Sequence, residues 1–256
     1  MENRYKRIAV EAALKSGHLI KKSVGKFGKV SYKGPDNIVT DVDKAAETMI
    51  IKKILSAFPD HSILSEEGPP RSGLSEYRWI IDPLDGTTNF AHGFPFFCVS
   101  IALEKDCRVI LGVVYDPMRD ELFYAEEGKG AYRNSKKICV SGTKKLPESF
   151  LATGFSYGIK GRGKNVRLFG SFLMRSLAIR RAGSAALDLC YVACGRFDGF
   201  WEMNLFPWDS AAGIVIIREA GGSVTRFNGL PFTPYDRDIL ATNNRIHNQM
   251  VKVLTA

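Results

Sequence analysis

No run of this sequence reaches the roughly 18 consecutive apolar residues that a membrane-spanning helix needs, so no spanning helix is expected. The opening residues, Met1-Glu2-Asn3-Arg4-Tyr5-Lys6-Arg7, are charged and lead into no apolar stretch. That speaks against a signal peptide and for a cytoplasmic protein. The five cysteines are odd in number and form no C-x-x-C pair. Without an export signal they read as buried free thiols in a reducing compartment, not as a disulfide framework. The four histidines show no metal-ligand spacing and read as surface or structural residues. Repeats and low-complexity linkers are absent. No Asp or Glu occurs between residues 149 and 187, where Lys160, Arg162, Lys164, Arg167, Arg175, Arg180 and Arg181 accumulate.

What is present is an ordinary globular composition. The chain has 256 residues, 45% hydrophobic and 25% charged, enough to bury a core without disulfides or metal. A net charge of +9 suits an anionic substrate, an acidic surface or nucleic acid. Periodicity predicts a long first helix after Asn3, with Ile8, Ala12 and Leu19 on its apolar side, and a second over 43–57 striped by Ala46, Met49, Ile50 and Ile54. Short strands follow at 63–64, 77–81, 98–104, 109–115 and 122–125. Helices at 164–176, 184–193 and 208–220, strands at 197–203, 223–227 and 239–240, and a final helix complete the chain. Strands and helices come in blocks and do not alternate strictly, which favours layered sheets and helices over a doubly wound fold.

The chemistry concentrates in Trp79-Ile80-Ile81-Asp82-Pro83-Leu84-Asp85-Gly86-Thr87-Thr88-Asn89-Phe90. An apolar strand ends in Asp82, Pro83 stops sheet pairing, and a tight turn is expected to bring Asp85 to the same point. Gly86 permits backbone conformations that other residues avoid, and the amides of Gly86 and Thr87 could converge on an anion. Two carboxylates beside an anion site repel the anion unless a divalent cation lies between them. An oxygen-only donor set suits magnesium, whereas zinc calls for His or Cys. A single Asp in a turn more often caps backbone amides; two of them before a glycine fit the metal-assisted reading better.

Further acids fit the same scheme. Glu66-Glu67 follows a short strand and precedes Gly68-Pro69. Asp209 opens a helix within Phe206-Pro207-Trp208-Asp209-Ser210, and Asp43 stands three residues after Thr40. Asp209 reads equally as a helix cap, and the Thr40/Asp43 pair equally as a capping box.

Together these segments resemble the inositol monophosphatase family of lithium-sensitive, magnesium-dependent phosphatases. W-I-I-D-P-L-D-G-T-T-N-F is similar to its first signature and P-W-D-S-A-A-G-I-V-I-I-R-E-A-G-G to its second. N-I-V-T-D-V-D, S-E-E-G and G-S-A-A fall in the family's order, so the resemblance spans nearly the whole chain. It implies a layered α-β-α-β-α sandwich in one domain of two subdomains dividing near 145–150. It also implies a homodimer, two to three magnesium ions and a small phosphorylated metabolite as substrate, inositol 1-phosphate first, with fructose bisphosphate, histidinol phosphate or a nucleotide 3′- or 2′-phosphate as the alternatives. By position, Glu66 and Asp82, with the Leu84 carbonyl, would bind the first metal, and Asp82, Asp85 and Asp209 the second. Glu66 would also face a third. Thr87 paired with Asp43 would orient the attacking water, with Glu67 close by. The Gly86 and Thr87 amides would hold the phosphate, and Gly183, Ser184, Ala185 and Glu202 the alcohol. Asn37 stands where some members carry Asp and is left out of the metal set. Some bacterial members associate with transcription or RNA machinery, and the basic 160–181 stretch is compatible with that, although its aromatics form no recognisable stacking platform. On either reading that stretch attracts charge or a partner and stands apart from the reacting groups.

One look-alike is set aside. The 158–165 run resembles a P-loop but has Asn165 in place of the hydroxyl that would meet magnesium.

Overall fold

The computed structural model describes residues 2–26, 30–32, 38–155 and 162–256. Asn37, Lys160, the first half of the P-loop-like run and part of 25–34 lie outside the described residues. After α1 (Glu2–Ser23), an antiparallel pair of β1 (Val30–Tyr32) and β2 (Ile38–Thr40) leads into α2 (Asp41–Ala57). A seven-stranded sheet follows in simple spatial order: β3 (Ser62–Ser65), β4 (Tyr77–Asp85), β5 (Cys98–Lys105), β6 (Arg108–Asp116), β7 (Glu121–Glu126), β8 (Ala131–Arg133) and β9 (Lys136–Lys137). Only its β3–β4 pair is parallel. The short helix α3 (Thr87–Ala91) interrupts it between β4 and β5.

The second half makes a five-stranded mixed sheet from β10 (Phe150–Thr153), β11 (Ala178–Arg180), β12 (Gly199–Glu202), β13 (Ser223–Thr225) and β14 (Ile239–Thr242), in the order β11-β10-β12-β14-β13. Its helices are α4 (Arg162–Leu173), α5 (Ala185–Ala193), α6 (Pro207–Glu219) and α7 (His247–Leu254).

Three apolar cores separate five layers. The first joins α1 and α2 to one face of the large sheet through Trp79, Ile81, Val99 and Ile101. The second joins the other face, through Ile80 and Ala102, to α5 and α6 and to Phe200 and Ala241 of the small sheet. The third covers the far face of that sheet, with Leu151, Trp201 and Leu240 against Phe172 of α4 and Met250 of α7. The period-two alternation of each strand therefore feeds two cores at once, giving the expected α-β-α-β-α sandwich.

Several expectations shift in detail. Ile20, fully buried, takes the place expected of Leu19, and the half-buried Met49 cedes the α2 stripe to Asp43 and Glu47. Strands β8 to β11 carry too few apolar residues in alternation to stand out in sequence. Cys98 and Cys190 are buried as expected, but Cys194 is only half-buried, and Cys107, in the turn between β5 and β6, and Cys139, just after β9, are exposed. Among the described residues no helix is long and apolar enough to cross a membrane.

Helix α6 is apolar around its whole circumference because it lies between the sheets, with Ala211, Ala212, Ile214, Val215, Ile216 and Ile217 all buried. It comes this close because β6 carries Gly112. A Cβ there would overlap the Ala212 backbone oxygen and come within 2.7 Å of Val215 Cγ1. Replacing Gly112 by Val is expected to cost about 1–3 kcal/mol through overpacking. Equilibrium urea unfolding measures this, and an unchanged midpoint would disprove the tight approach.

Candidate active site

Strand β4 does not stop at Asp82. Its pairing with β5 runs through Asp82 opposite Ser100 and resumes with Asp85 opposite Cys98, so three steps on β4 match two on β5. One extra residue is accommodated at Pro83-Leu84, a β-bulge in place of the expected turn. In a regular strand, side chains three apart face opposite sides. The bulge restores the phase, and both Asp82 and Asp85 face one cavity. Pro83 suits this place because a bulge leaves a ladder position unpaired.

The neighbouring elements converge on the same cavity. Parallel β3 pairs Ser65 with Ile81, so the next residue, Glu66, comes beside Asp82, and its N–H donates to the Ile81 carbonyl at 3.2 Å. Asp209 occupies the third position of α6, and its Oδ2 accepts the Phe206 N–H at 2.7 Å. The cap and the site residue are thus one side chain. The cavity, about 310 Å³, is lined by Glu66, Asp82, Leu84, Asp85, Gly86, Thr87, Gly183, Ser184, Ala185, Glu202 and Asp209 from the sequence-derived set. Asp43 and Glu67 are not among its lining residues. Asp43 reaches it indirectly: Thr87 Oγ1 donates to Asp43 Oδ1 at 2.9 Å, while Asp43 Oδ2 closes the capping box with the Thr40 N–H at 2.8 Å. The Glu67 N–H donates to Glu47 Oε1 at 3.2 Å.

Electrostatics mark the cavity as a site short of positive charge. Burial, then the charges of Glu66, Asp85 and Asp209, push the Asp82 carboxyl well above its usual range. Burial and Asp85 do the same to Asp209. Asp85 is pushed up to about 6 by burial, against hydrogen bonds from Ser184 and Ala186. Glu202, buried at the end of β12, is pushed up to about 8 by burial and by Asp85, with Arg181 opposing. The donors are all oxygens, which fits a hard divalent cation. Among the described residues no three such side chains already close on one point as a finished metal cage. They line one cavity and act on each other through space.

Several contributors escaped the sequence reading. Glu47 stands one turn beyond Asp43 on the buried face of α2 and takes the Glu67 and Gly68 N–H groups at 3.2 and 2.9 Å, holding the turn that carries Glu66. The i, i+4 spacing of Asp43 and Glu47 on a buried face was the available signal. Ser184 proves to support Asp85: its hydroxyl donates to Asp85 Oδ2 at 2.6 Å, and the Ala186 N–H adds a bond at 2.8 Å. Gly154 leaves room for the Glu202 carboxylate, which a Cβ there would overlap. Arg181, expected to stand apart with the basic stretch, lines the cavity together with Arg237. It does so because β11 ends at Arg180 and the chain turns inward to Gly183. The rest of the 163–180 segment is not on the cavity.

This geometry has known counterparts. The model of the inositol monophosphatase family matches residues 1–255. An inositol-1-monophosphatase of Synechocystis is 45% identical over 97% of this chain and 88% of its own length. The Nus factor SuhB of Escherichia coli K12 is likewise 45% identical, over 95% of this chain and 93% of its own. The crystal structure of extragenic suppressor protein suhB from Bartonella henselae superposes with a TM-score of 0.95 at 42% identity, covering 98% of both chains. With its carboxylates and loops gathered at one cavity, the chain belongs to the inositol monophosphatase family and is a phosphatase, a phosphoric monoester hydrolase.

Proposed function

We propose that this phosphatase hydrolyses inositol 1-phosphate or a closely similar sugar phosphate to the free alcohol and inorganic phosphate, with magnesium. The observation that carries the reading is the four-carboxylate cavity lined also by Gly86, Thr87, Gly183, Ser184, Ala185 and Glu202. Glu66, Asp82, Asp85 and Asp209, with the Leu84 carbonyl, would hold two to three magnesium ions. When bound, the cations neutralise the phosphate oxygens and the leaving oxygen and lower the pKa of the attacking water.

The chain's own groups do the positioning. The Thr87 hydroxyl gives its proton to Asp43 and keeps lone pairs free to accept from a water, turning that water's oxygen toward phosphorus. As the water attacks, its proton passes to Thr87 Oγ1 while the Thr87 proton passes to Asp43 Oδ1. Asp43, fixed by Thr40, thus ends as a neutral carboxyl, the water oxygen bonds phosphorus, and the bond from phosphorus to the alcohol oxygen breaks. Glu67 stands nearby, on the turn held by Glu47. The Gly86 and Thr87 amides receive phosphate oxygens. Gly183, Ser184 and Ala185 present backbone to the alcohol, the Ser184 hydroxyl being committed to Asp85, and Glu202 meets an alcohol hydroxyl.

The working form is proposed to be a cytoplasmic homodimer. Four of the large apolar side chains exposed on this protein, Val166, Leu173, Met174 and Leu177, fall in and just after α4, with Met174 82% and Leu177 71% exposed. A second copy of the chain would cover them. Relatives named Nus factor SuhB favour a second, regulatory reading in which the basic segment meets a macromolecular partner.

Three tests follow from these assignments. The first is turnover. Chelation should abolish phosphate release and magnesium restore it; Thr87→Ala and Asp43→Asn should lower kcat by ~10²–10⁴-fold, with Asp43→Asn also costing about 1 kcal/mol through the lost cap. Near-normal kcat in either folded variant would remove the dyad from the mechanism.

The second is proton linkage. In the metal-free protein Asp85 and Glu202 have folded-state pKa values above their unfolded ones, so the folded state holds more protons. Their contribution then declines as pH rises from the ordinary carboxylate range through about 6 and about 8. His247, buried and held below its usual range, works the other way at low pH. The difference in Tm with and without magnesium cancels it. That difference should grow from pH 5 to pH 8, and a pH-independent difference would contradict the carboxylate site.

The third is assembly. Met174→Glu with Leu177→Glu should halve the mass seen by light scattering; a monomeric parent would refute the dimer.

A further inference from the structure

Gly86 and Gly183 meet at the floor of the cavity. Both hold positive φ, 96° and 91°. A Cβ on Gly86 would come within 3.3 Å of the Gly183 carbonyl oxygen, and one on Gly183 within 3.2 Å of the Asn89 amide nitrogen. On the assignments proposed above, Gly86 serves the phosphate and Gly183 the alcohol. The fit between these two loops therefore fixes how far apart the two ends of a substrate are held.

Asn89, half-buried in α3, spans the joint. Its Nδ2 donates to the Phe96 carbonyl at 2.7 Å and to the Ala182 carbonyl at 2.9 Å, and lies 3.3 Å from the Gly183 carbonyl. A primary amide has two hydrogens, so the two nearer carbonyls take one each. A hydroxyl has one hydrogen and would leave one carbonyl without it, while a carboxylate would set negative charge against three carbonyl oxygens. Another tie between the loops, donated by Ser184 and Ala186 to Asp85, involves a proposed metal donor. Asn89 belongs neither to the donors nor to the lining of the cavity.

We propose that Asn89 is a positioning residue that sets the spacing between the phosphate-holding loop and the loop receiving the alcohol, and thereby the preference for a ring alcohol over a short one. This rests on the assignment of residues 183–185 to the alcohol. Steady-state kinetics of the parent, Asn89→Asp and Asn89→Ala on myo-inositol 1-phosphate and on glycerol 2-phosphate, with inorganic phosphate as competitive inhibitor, test it. The ratio of kcat/KM for the ring substrate over the acyclic one should fall about five- to tenfold, the scale of one lost neutral hydrogen bond. Inhibition by inorganic phosphate should stay within about twofold, since the Asn89 side chain bonds the Phe96 and Ala182 carbonyls and not the Gly86 and Thr87 amides; a larger change would overturn the proposal. Equal losses on both substrates would show that Asn89 merely supports the fold, and an unchanged ratio would likewise overturn the proposal. Asn89→Ala adds no charge and carries the test if Asn89→Asp fails to fold, as judged by circular dichroism. Gly183→Ala, which puts a methyl into the joint, separates the two layers of inference. If it leaves the ratio unchanged, the alcohol assignment fails; if it changes the ratio and the Asn89 variants do not, only the role of Asn89 fails.

Discussion

Like charges about 5 Å apart in a protein site repel by about 3 kcal/mol, and this structure gathers Glu66, Asp82, Asp85 and Asp209 around one cavity. Burial and mutual repulsion raise the carboxyls at 82, 85 and 209 together. Such a cluster is tolerable in two ways, by taking up protons or by taking up cations, and these compete. The protein thus carries at its centre a group of side chains whose comfort depends on what is bound, and much of the surrounding structure holds them against that repulsion.

The holding is shared by all the inner layers. Strand β4 supplies two carboxylates through its bulge, β3 a third through parallel register, and α6 a fourth through its first turn. Helix α2, on the far side of the large sheet, reaches in with Asp43 for Thr87 and Glu47 for the turn of Glu66. Helix α5 secures Asp85 from the small-sheet side through Ser184 and Ala186. Helix α6, which carries Asp209, packs close against β6 at Gly112. An error in any one layer would alter the spacing of the charges, and Asp43, Glu47 and Ser184 guard against it through hydrogen bonds that cross from one element to another.

Cations are placed with equal economy. Most of the basic 163–180 segment stays outside the cavity, where exposed charges act through a field screened over about 8–10 Å. Arg181, which follows that segment, lines the cavity, close enough to oppose the raised pKa of Glu202. Arg237 joins it from the loop before β14.

Asp82 and Asp85 were legible in the sequence itself, because paired carboxylates between an apolar strand and a glycine leave few other physical uses. Glu66 and Asp209 read locally just as well as loop and cap residues, and they, Glu202 and the layer order were fixed through the resemblance to the family. The helices with a clear apolar stripe were legible from that stripe. What only the tertiary structure decided was phase and reach. Whether Asp82 and Asp85 share a face depends on one extra residue against β5, a property of the pairing and not of either strand. Glu47, Gly154, Arg181 and the hydroxyl of Ser184 act on residues 20 to 99 positions away, and no local pattern encodes such partners. The short strands β8 to β11 form because neighbouring strands offer them hydrogen bonds, a condition that exists only once the sheets have assembled.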